Sequence, residues 1–213
     1  MKNIQFVTAV HGNEIMPTLA LVSIGEPQIV ANPRALARGV RYMEKDMNAS
    51  FGTGGSSYEE KGATQLLKIL DKKKLVVDFH TFSCESEPFA IIVDLTLLPI
   101  AASLGVKRVV YMKHNIKGGH ALINYRSGVS VEVGGHIDPS SFETTLKIVK
   151  RLAKYGIRPG KVKIYEVYGR IEEQGKYENF VERDGFIPVL YGERAYPDQG
   201  FYGLAAREIT GTI

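Results

Sequence analysis

The chain has 213 residues, 44% of them hydrophobic, and a formal net charge of +4. That length suits one domain, or one domain with a small appendage, and the composition excludes a disordered chain. The positive excess is mild and scattered, with Lys72-Lys73-Lys74 beside Asp71 its only run, so it offers no interleaved basic and aromatic motif for nucleic acid.

Residues 4–10 read as a buried strand that delivers His11-Gly12-Asn13-Glu14. Pro17 fits the first turn of a helix carrying Leu19, Ala20 and Leu21. A second short strand covers 28–33 and ends at Pro33. Residues 34–51 read as irregular and polar, and Gly52-Thr53-Gly54-Gly55-Ser56-Ser57 as a flexible loop. Ser57 and Glu60 have capping-box spacing and open a helix with Ala63, Leu66, Leu67 and Leu70 on its apolar stripe. The strand 75–80 follows and closes at His80. Further strands are expected at 89–93, 108–112 and 128–133, with a helix at 97–104. Asp138 and Pro139 fit the cap and first turn of a helix whose buried face is Phe142, Leu146, Val149 and Leu152, and which Gly156 ends. After Pro159-Gly160 the texture changes: 161–168, 186–191 and the turn-rich 192–203 suggest a β-rich region. The alternation predicts an α/β fold, a mixed sheet with flanking helices, in a domain over 1–158 followed by a small β-rich C-terminal region over 159–213.

Open α/β sheets hold ligands outside the carboxyl ends of their strands. Three strand ends here deliver His11 with Glu14, His80, and Glu132, which suggests one converged site. His11 and Glu14 are three apart, so one turn of chain can aim both at a single ion. With His80 they form a His2Glu set that suits zinc and leaves a coordination position open. The pair alone reads more readily as a helix-capping glutamate beside a surface histidine, and His80 at a second strand end shifts the reading toward a metal. Asp78 could accept from a ligand imidazole. Glu132, between Val131 and Val133, is costly to bury unless it is paired or functional. It reads as a general base for metal-activated water, or as one half of an ion pair with Arg126 or Arg41.

Together these segments resemble the succinylglutamate desuccinylase/aspartoacylase family, relatives of the zinc carboxypeptidases. The resemblance rests on His11-Gly12-Asn13-Glu14, Asn32-Pro33-Arg34-Ala35, Arg41-Tyr42-Met43-Glu44-Lys45-Asp46-Met47-Asn48, Asp78-Phe79-His80 and Val131-Glu132-Val133-Gly134, in that order. It implies one zinc ion per chain on His11, Glu14 and His80. It implies that Arg41 polarises the scissile carbonyl, that Asn48 holds the substrate's carboxylate and that Glu132 is the acid/base. The reaction implied is hydrolysis of a linear amide in a small N-acyl amino acid or related compound.

One departure from the family pattern bears on the substrate. The asparagine is usually followed by an arginine that grips the substrate carboxylate, and here Ala49 follows Asn48. Either another cation substitutes, with Arg34, Arg38 and Arg126 as candidates, or the substrate lacks that carboxylate. Relatives place a tyrosine from the C-terminal region near the substrate, which Tyr202 could match or simply pack. His114, His120 and His136 show no ligand spacing. Cys84, the single cysteine, lies four residues after His80 and reads better as a small buried apolar residue. It excludes an intrachain disulfide, and a reducing cytoplasm is the expected compartment. No signal-peptide core or membrane-spanning stretch is visible. The expected partner is a small acylated substrate, with no nucleic acid and no membrane, and an oligomer is compatible with the sequence. The competing reading is a non-catalytic metal or small-ligand binding protein on the same scaffold.

Overall fold

The computed structural model describes residues 3–113 and 118–209; His114 lies outside them. Among the described residues nine strands form one mixed sheet in the order β2-β1-β3-β6-β4-β5-β7-β9-β8. These are β1 (Ile4–Thr8), β2 (Gln28–Val30), β3 (Leu75–Phe82), β4 (Phe89–Ile92), β5 (Arg108–Tyr111), β6 (Gly128–Gly135), β7 (Lys163–Ile171), β8 (Ile187–Val189) and β9 (Gly203–Ile209). The strands β2, β1, β3 and β6 run parallel, β4 pairs antiparallel with β6, and β5 and β7 run parallel to β4. The β-rich C-terminal stretch continues this same sheet, with β9 antiparallel to both β7 and β8.

The helices are α1 (Ile15–Ser23), α2 (Pro33–Arg38), α3 (Tyr58–Ile69), α4 (Leu98–Ser103) and α5 (Pro139–Tyr155). Strand side chains alternate between the two faces of a sheet. On one face Phe6, Val77, Phe79, Val129, Val131 and Val133 pack with Leu21, Ile100, Val149 and Leu152 of α1, α4 and α5. On the other, Val7 and Val76 pack with Ala63, Leu66 and Leu70 of α3 and with Met47 and Phe51. A third apolar cluster joins Phe82, Phe89 and Tyr165 to Val189, Tyr196 and Leu204. Among the described residues no helix is long and apolar enough to cross a membrane.

Two expectations need correction. The stretch after Pro33 is not wholly irregular. Asn32 accepts the Ala35 N–H at 3.2 Å as an N-cap, Pro33 takes the first turn, and Gly39 ends α2 with a φ of 63°. A single 3-10 turn follows at Met47–Ala49. The third strand does not close at His80 but runs on to Phe82, with an irregularity in its pairing to β6 between these two residues. The capping box of α3 forms as expected, Ser57 Oγ accepting the Glu60 N–H and Glu60 Oε2 accepting the Ser57 N–H.

Gly12 is where the loop after β1 meets α2. A Cβ there would lie 2.1 Å from the carbonyl carbon of Ala35, a backbone atom with no room to retreat. Gly12→Ala is therefore expected to destabilise the protein by about 1–3 kcal/mol or more, read as a lowered Tm.

Candidate metal centre

The site begins with strand periodicity. Asp78 and His80 are two apart on β3, so they share a face, and Ser130 and Glu132 do the same on β6. Register sets His80 directly beside Glu132. The opposite face carries Phe79 and Val131 into the core under the helices. At the end of β1 the chain turns away through Ala9, whose φ of 53° is rare for a residue with a side chain. That turn swings His11 and Glu14 over the same face.

His11, Glu14 and His80 are all buried, and one ligand atom from each lies within 4.8 Å of the others. Glu14 is the N-cap residue of α1 but makes no capping hydrogen bond, which removes the helix-cap reading. Its two oxygens instead face the two imidazoles, Oε1 at 2.8 Å from His11 Nδ1 and Oε2 at 3.1 Å from His80 Nδ1. Behind the rings, His11 Nε2 meets Asp46 Oδ1 at 3.2 Å and His80 Nε2 meets Asp78 Oδ2 at 2.7 Å. Asp78 thus takes the supporting place expected of it, and Asp46 supplies a matching one.

Every nitrogen of both rings faces a carboxylate, and an ionised carboxylate only accepts. A neutral imidazole has one N–H to give. With that proton on the outer nitrogen, each inner nitrogen presents a lone pair toward Glu14. A cation between the three inner donors resolves the conflict, so the donor set fits a metal ion. Without one, burial would raise the Glu14 carboxyl, but the charge of the two imidazoles outweighs it and holds the group well below the usual range. Burial likewise opposes charge on His80, while Asp78 and then Glu14 draw its proton affinity well above the ordinary value. Asp78→Asn, which keeps the shape and removes the charge behind His80, is expected to weaken metal affinity about 10–100-fold, measured by competition with a chelator.

Glu132 has an Oε2 that is buried with no hydrogen-bond partner. Burial pushes its carboxyl up to about 8; His80 opposes this, and Glu14 and Glu193 add to it. Neither sequence-proposed ion pair forms. Arg41 donates through Nε and Nη2 to Asp46 Oδ2 at 3.3 and 3.1 Å. Arg126 gives its Nη groups to the backbone carbonyls of Tyr125 and Leu67.

An inner cavity of about 80 Å³ joins His11, Glu14, His80, Arg41, Asn48 and Glu132. Arg41 and Glu193 also border a polar vestibule of about 380 Å³. Arg34 is exposed on α2 with its guanidinium over the Tyr58 ring, and neither it, Arg38 nor Arg126 lines either space. Tyr202 stays outside as well, its N–H donating to the Ile171 carbonyl, and the tyrosine that does reach the inner cavity is Tyr196. His120 bonds to the Phe51 carbonyl, and His136 to Thr81 on the vestibule side. Cys84 is half-buried and outside the ligand group, its thiol pushed up to about 12 by burial first and then by Glu193 and Glu132.

Several supports were not singled out from the sequence. Glu59 of α3 accepts the backbone N–H groups of Met43, Glu44 and Lys45 and the Asn32 amide, which shapes the loop carrying Arg41, Asp46 and Asn48. Glu193 Oε2 accepts the Ser83 N–H at 2.8 Å across the site. A buried carboxylate close to an apolar run is the signal that marks Glu193 once the fold is known.

Fold and site together define an α/β protein with a buried His-Glu-His cluster on one sheet face and an unpartnered carboxylate beside it. The model of the succinylglutamate desuccinylase/aspartoacylase catalytic domain matches residues 28–155, and the chain belongs to that family. The match holds Arg41, Asn48, His80 and Glu132, while His11 and Glu14 precede it. Murine aminoacylase 3 has a similar structure, with a TM-score of 0.77 at 17% identity over 97% of this chain and 95% of that one. The succinylglutamate desuccinylase of Chromobacterium violaceum gives 0.74 at 18% identity over 99% and 86%. That of Vibrio cholerae gives 0.73 at 17% over 99% and 82%. At these identities the likeness is one of fold.

Proposed function

We propose that the chain is a zinc-dependent hydrolase that cleaves the amide bond of a small N-acyl amino acid or related compound. The observation that carries this reading is the unpartnered Glu132 carboxylate facing the same cavity as the buried His11, Glu14 and His80. A protein that only bound a ligand gains nothing from burying that oxygen unsatisfied.

His11 Nδ1, Glu14 and His80 Nδ1 would hold the ion, with Asp46 and Asp78 orienting the rings. Zinc held there would supply a Lewis acid to the scissile carbonyl and lower the pKa of water toward about 7. Glu132 accepts a proton from the attacking water at Oε2 and returns it to the amine nitrogen as the C–N bond breaks. The water oxygen stays on the acyl carbon, so the products are a carboxylate and an amine. Arg41, held flat by Asp46, offers its guanidinium to the negative charge that develops on the carbonyl oxygen. Burial keeps bulk water from screening these interactions.

The test is elemental analysis of protein purified without added metal or chelator, followed by assay on a panel of N-acyl compounds. About one zinc per chain and turnover of at least one amide are expected. A protein that holds no metal and takes up none on titration with zinc overturns the reading.

A further inference from the structure

The chemistry of the two spaces restricts what the site accepts, and this inference rests on the hydrolase reading above. Glu132 lines the inner cavity but not the vestibule, whereas Arg41 borders both. The group that returns a proton to the leaving nitrogen must lie on the amine side of the scissile bond. The amine arm of the substrate therefore enters the inner cavity, and the acyl arm extends into the vestibule.

Among the described residues the inner cavity has one guanidinium or ammonium in its wall, Arg41, and that group is already engaged by Asp46. The same wall carries Glu193 and Glu132 as well as Glu14. Its far side is apolar, formed by Phe82, Ile91, Met112, Ile123 and Leu190. Its uncharged hydrogen-bonding side chains are Tyr196, Asn48, Thr81 and Ser130, of which Thr81 is bonded to His136 and Ser130 donates to Asp78. Asn48 spends its Oδ1 on the Leu122 N–H at 3.2 Å, which turns the Nδ2 group to account as a neutral donor. The volume of about 80 Å³ admits an arm of a few heavy atoms. The vestibule is wider and polar, with Arg41 and Arg194 set among Asp46, Glu193 and Asp198 and with Asn13, Ser83 and Gln199 as neutral partners, around about 380 Å³.

We infer that the enzyme's substrates are N-acyl amines or N-acyl amino acid amides whose amine arm is short and carries no carboxylate. A free carboxylate drawn into the inner cavity would lose its water, meet among the described residues no guanidinium or ammonium beyond the Arg41 already paired with Asp46 and given to the scissile carbonyl, and face acidic neighbours. A carbonyl or amide at the same place meets Asn48 and Tyr196 without that penalty. The acyl arm, seated in the wider vestibule, tolerates larger and polar groups, with Arg194 there as a second guanidinium. In the reaction the amide C–N bond breaks, water supplies oxygen to the acyl carbon and a proton to nitrogen, and no other reactant is consumed.

Matched pairs test this with zinc-loaded wild-type protein: N-acetyl-L-alanine against N-acetyl-L-alaninamide, and N-succinyl-L-alanine against N-succinyl-L-alaninamide. The amide of each pair is expected to exceed the acid in kcat/KM by about tenfold or more, because a site without a partner discriminates strongly against an unpaired charge. Changing the acyl arm from acetyl to succinyl is expected to alter kcat/KM less than changing the amine arm does. Ala49→Arg, which sets a cation next to Asn48, is expected to narrow or reverse the preference. Acids cleaved as fast as amides by the wild type would overturn the inference and leave the hydrolase reading standing. Failure of every compound with one zinc bound would overturn both. Should Ala49→Arg fail to fold, the wild-type comparison decides alone.

Discussion

Glu132→Gln is expected to lower kcat by about two to four orders of magnitude while the protein still binds one metal ion per chain. Glutamine keeps the volume and can fill the same place beside His80, but it cannot take up and return a proton. Glu132 is not one of the three clustered ligands, so metal content should not change. Loss of turnover together with loss of metal would instead make Glu132 part of the ligand set. The same variant carries a pH signature in the metal-free protein. The folded state holds the Glu132 proton up to about 8, against an ordinary value of 4.5. A carboxyl with a raised folded pKa contributes stability that is present at low pH and is lost as pH rises from the ordinary value through the folded one. His80, raised in the same way, loses its contribution as pH rises through its own folded value. Metal-free wild type should therefore become less stable between about pH 4.5 and about pH 8, and Glu132→Gln should flatten part of that decline. Thermal unfolding in chelator across this range measures it. A wild type whose Tm rises through the window would contradict the burial of a protonated carboxyl there.

His80→Ala is expected to abolish stoichiometric metal binding and to destabilise the metal-free protein by about 3–5 kcal/mol. The second effect follows from what the ring leaves behind. Asp78 is fully buried and Glu14 is 1% exposed, so both carboxylates lose a partner that water cannot replace. The Glu14 carboxyl, which the charge of His80 helps to hold low, should rise in response, and acid conditions should partly rescue the variant. A His80→Ala protein with unchanged metal content would show that the cluster is not the binding site. One with unchanged Tm in chelator would show that Asp78 and Glu14 are solvated in the metal-free state.

Much of the fold is legible in the chain because its strong elements announce themselves locally. The capping box at Ser57 and Glu60, the Asp138-Pro139 start and the Gly156 stop of α5 lie where their chemistry places them. The short α2 escapes a reading by periodicity because six residues carry less than two turns of pattern, although Asn32, Pro33 and Gly39 mark both its ends. Strand β9 escapes because Leu204-Ala205-Ala206 is small and short, and its pairing with β7 and β8 supplies what local propensity does not. In the site, His11, Glu14, His80 and Glu132 can be read because each is a polar group set against an apolar run. Asp46 and Glu193 cannot, since their contacts to His11 and Ser83 lie far along the chain, and nothing local marks Glu59 or Tyr196 as serving the site. The Glu193 contact to Ser83 spans 110 positions, and nothing within either segment points to the other. Tyr202 misleads for the same reason: only the turn after β8 decides which tyrosine of that region faces the cavity.

The pairing of His80 with Glu132 across two central parallel strands has a consequence for how this protein can change. Both belong to one rung of the sheet, with core side chains on the neighbouring positions of each strand, so neither can drift without slipping the register of the interior. On the proposed reading, the residues that would meet the variable parts of a substrate stand elsewhere, with Asn48 in a single turn and Leu190 and Tyr196 in the segment after β8. Such connecting segments accept substitution far more readily than a buried rung. On that reading reactivity and choice lie on separate pieces of chain, and substitutions in a turn of three residues would change the substrate while leaving the bond-breaking residues in place.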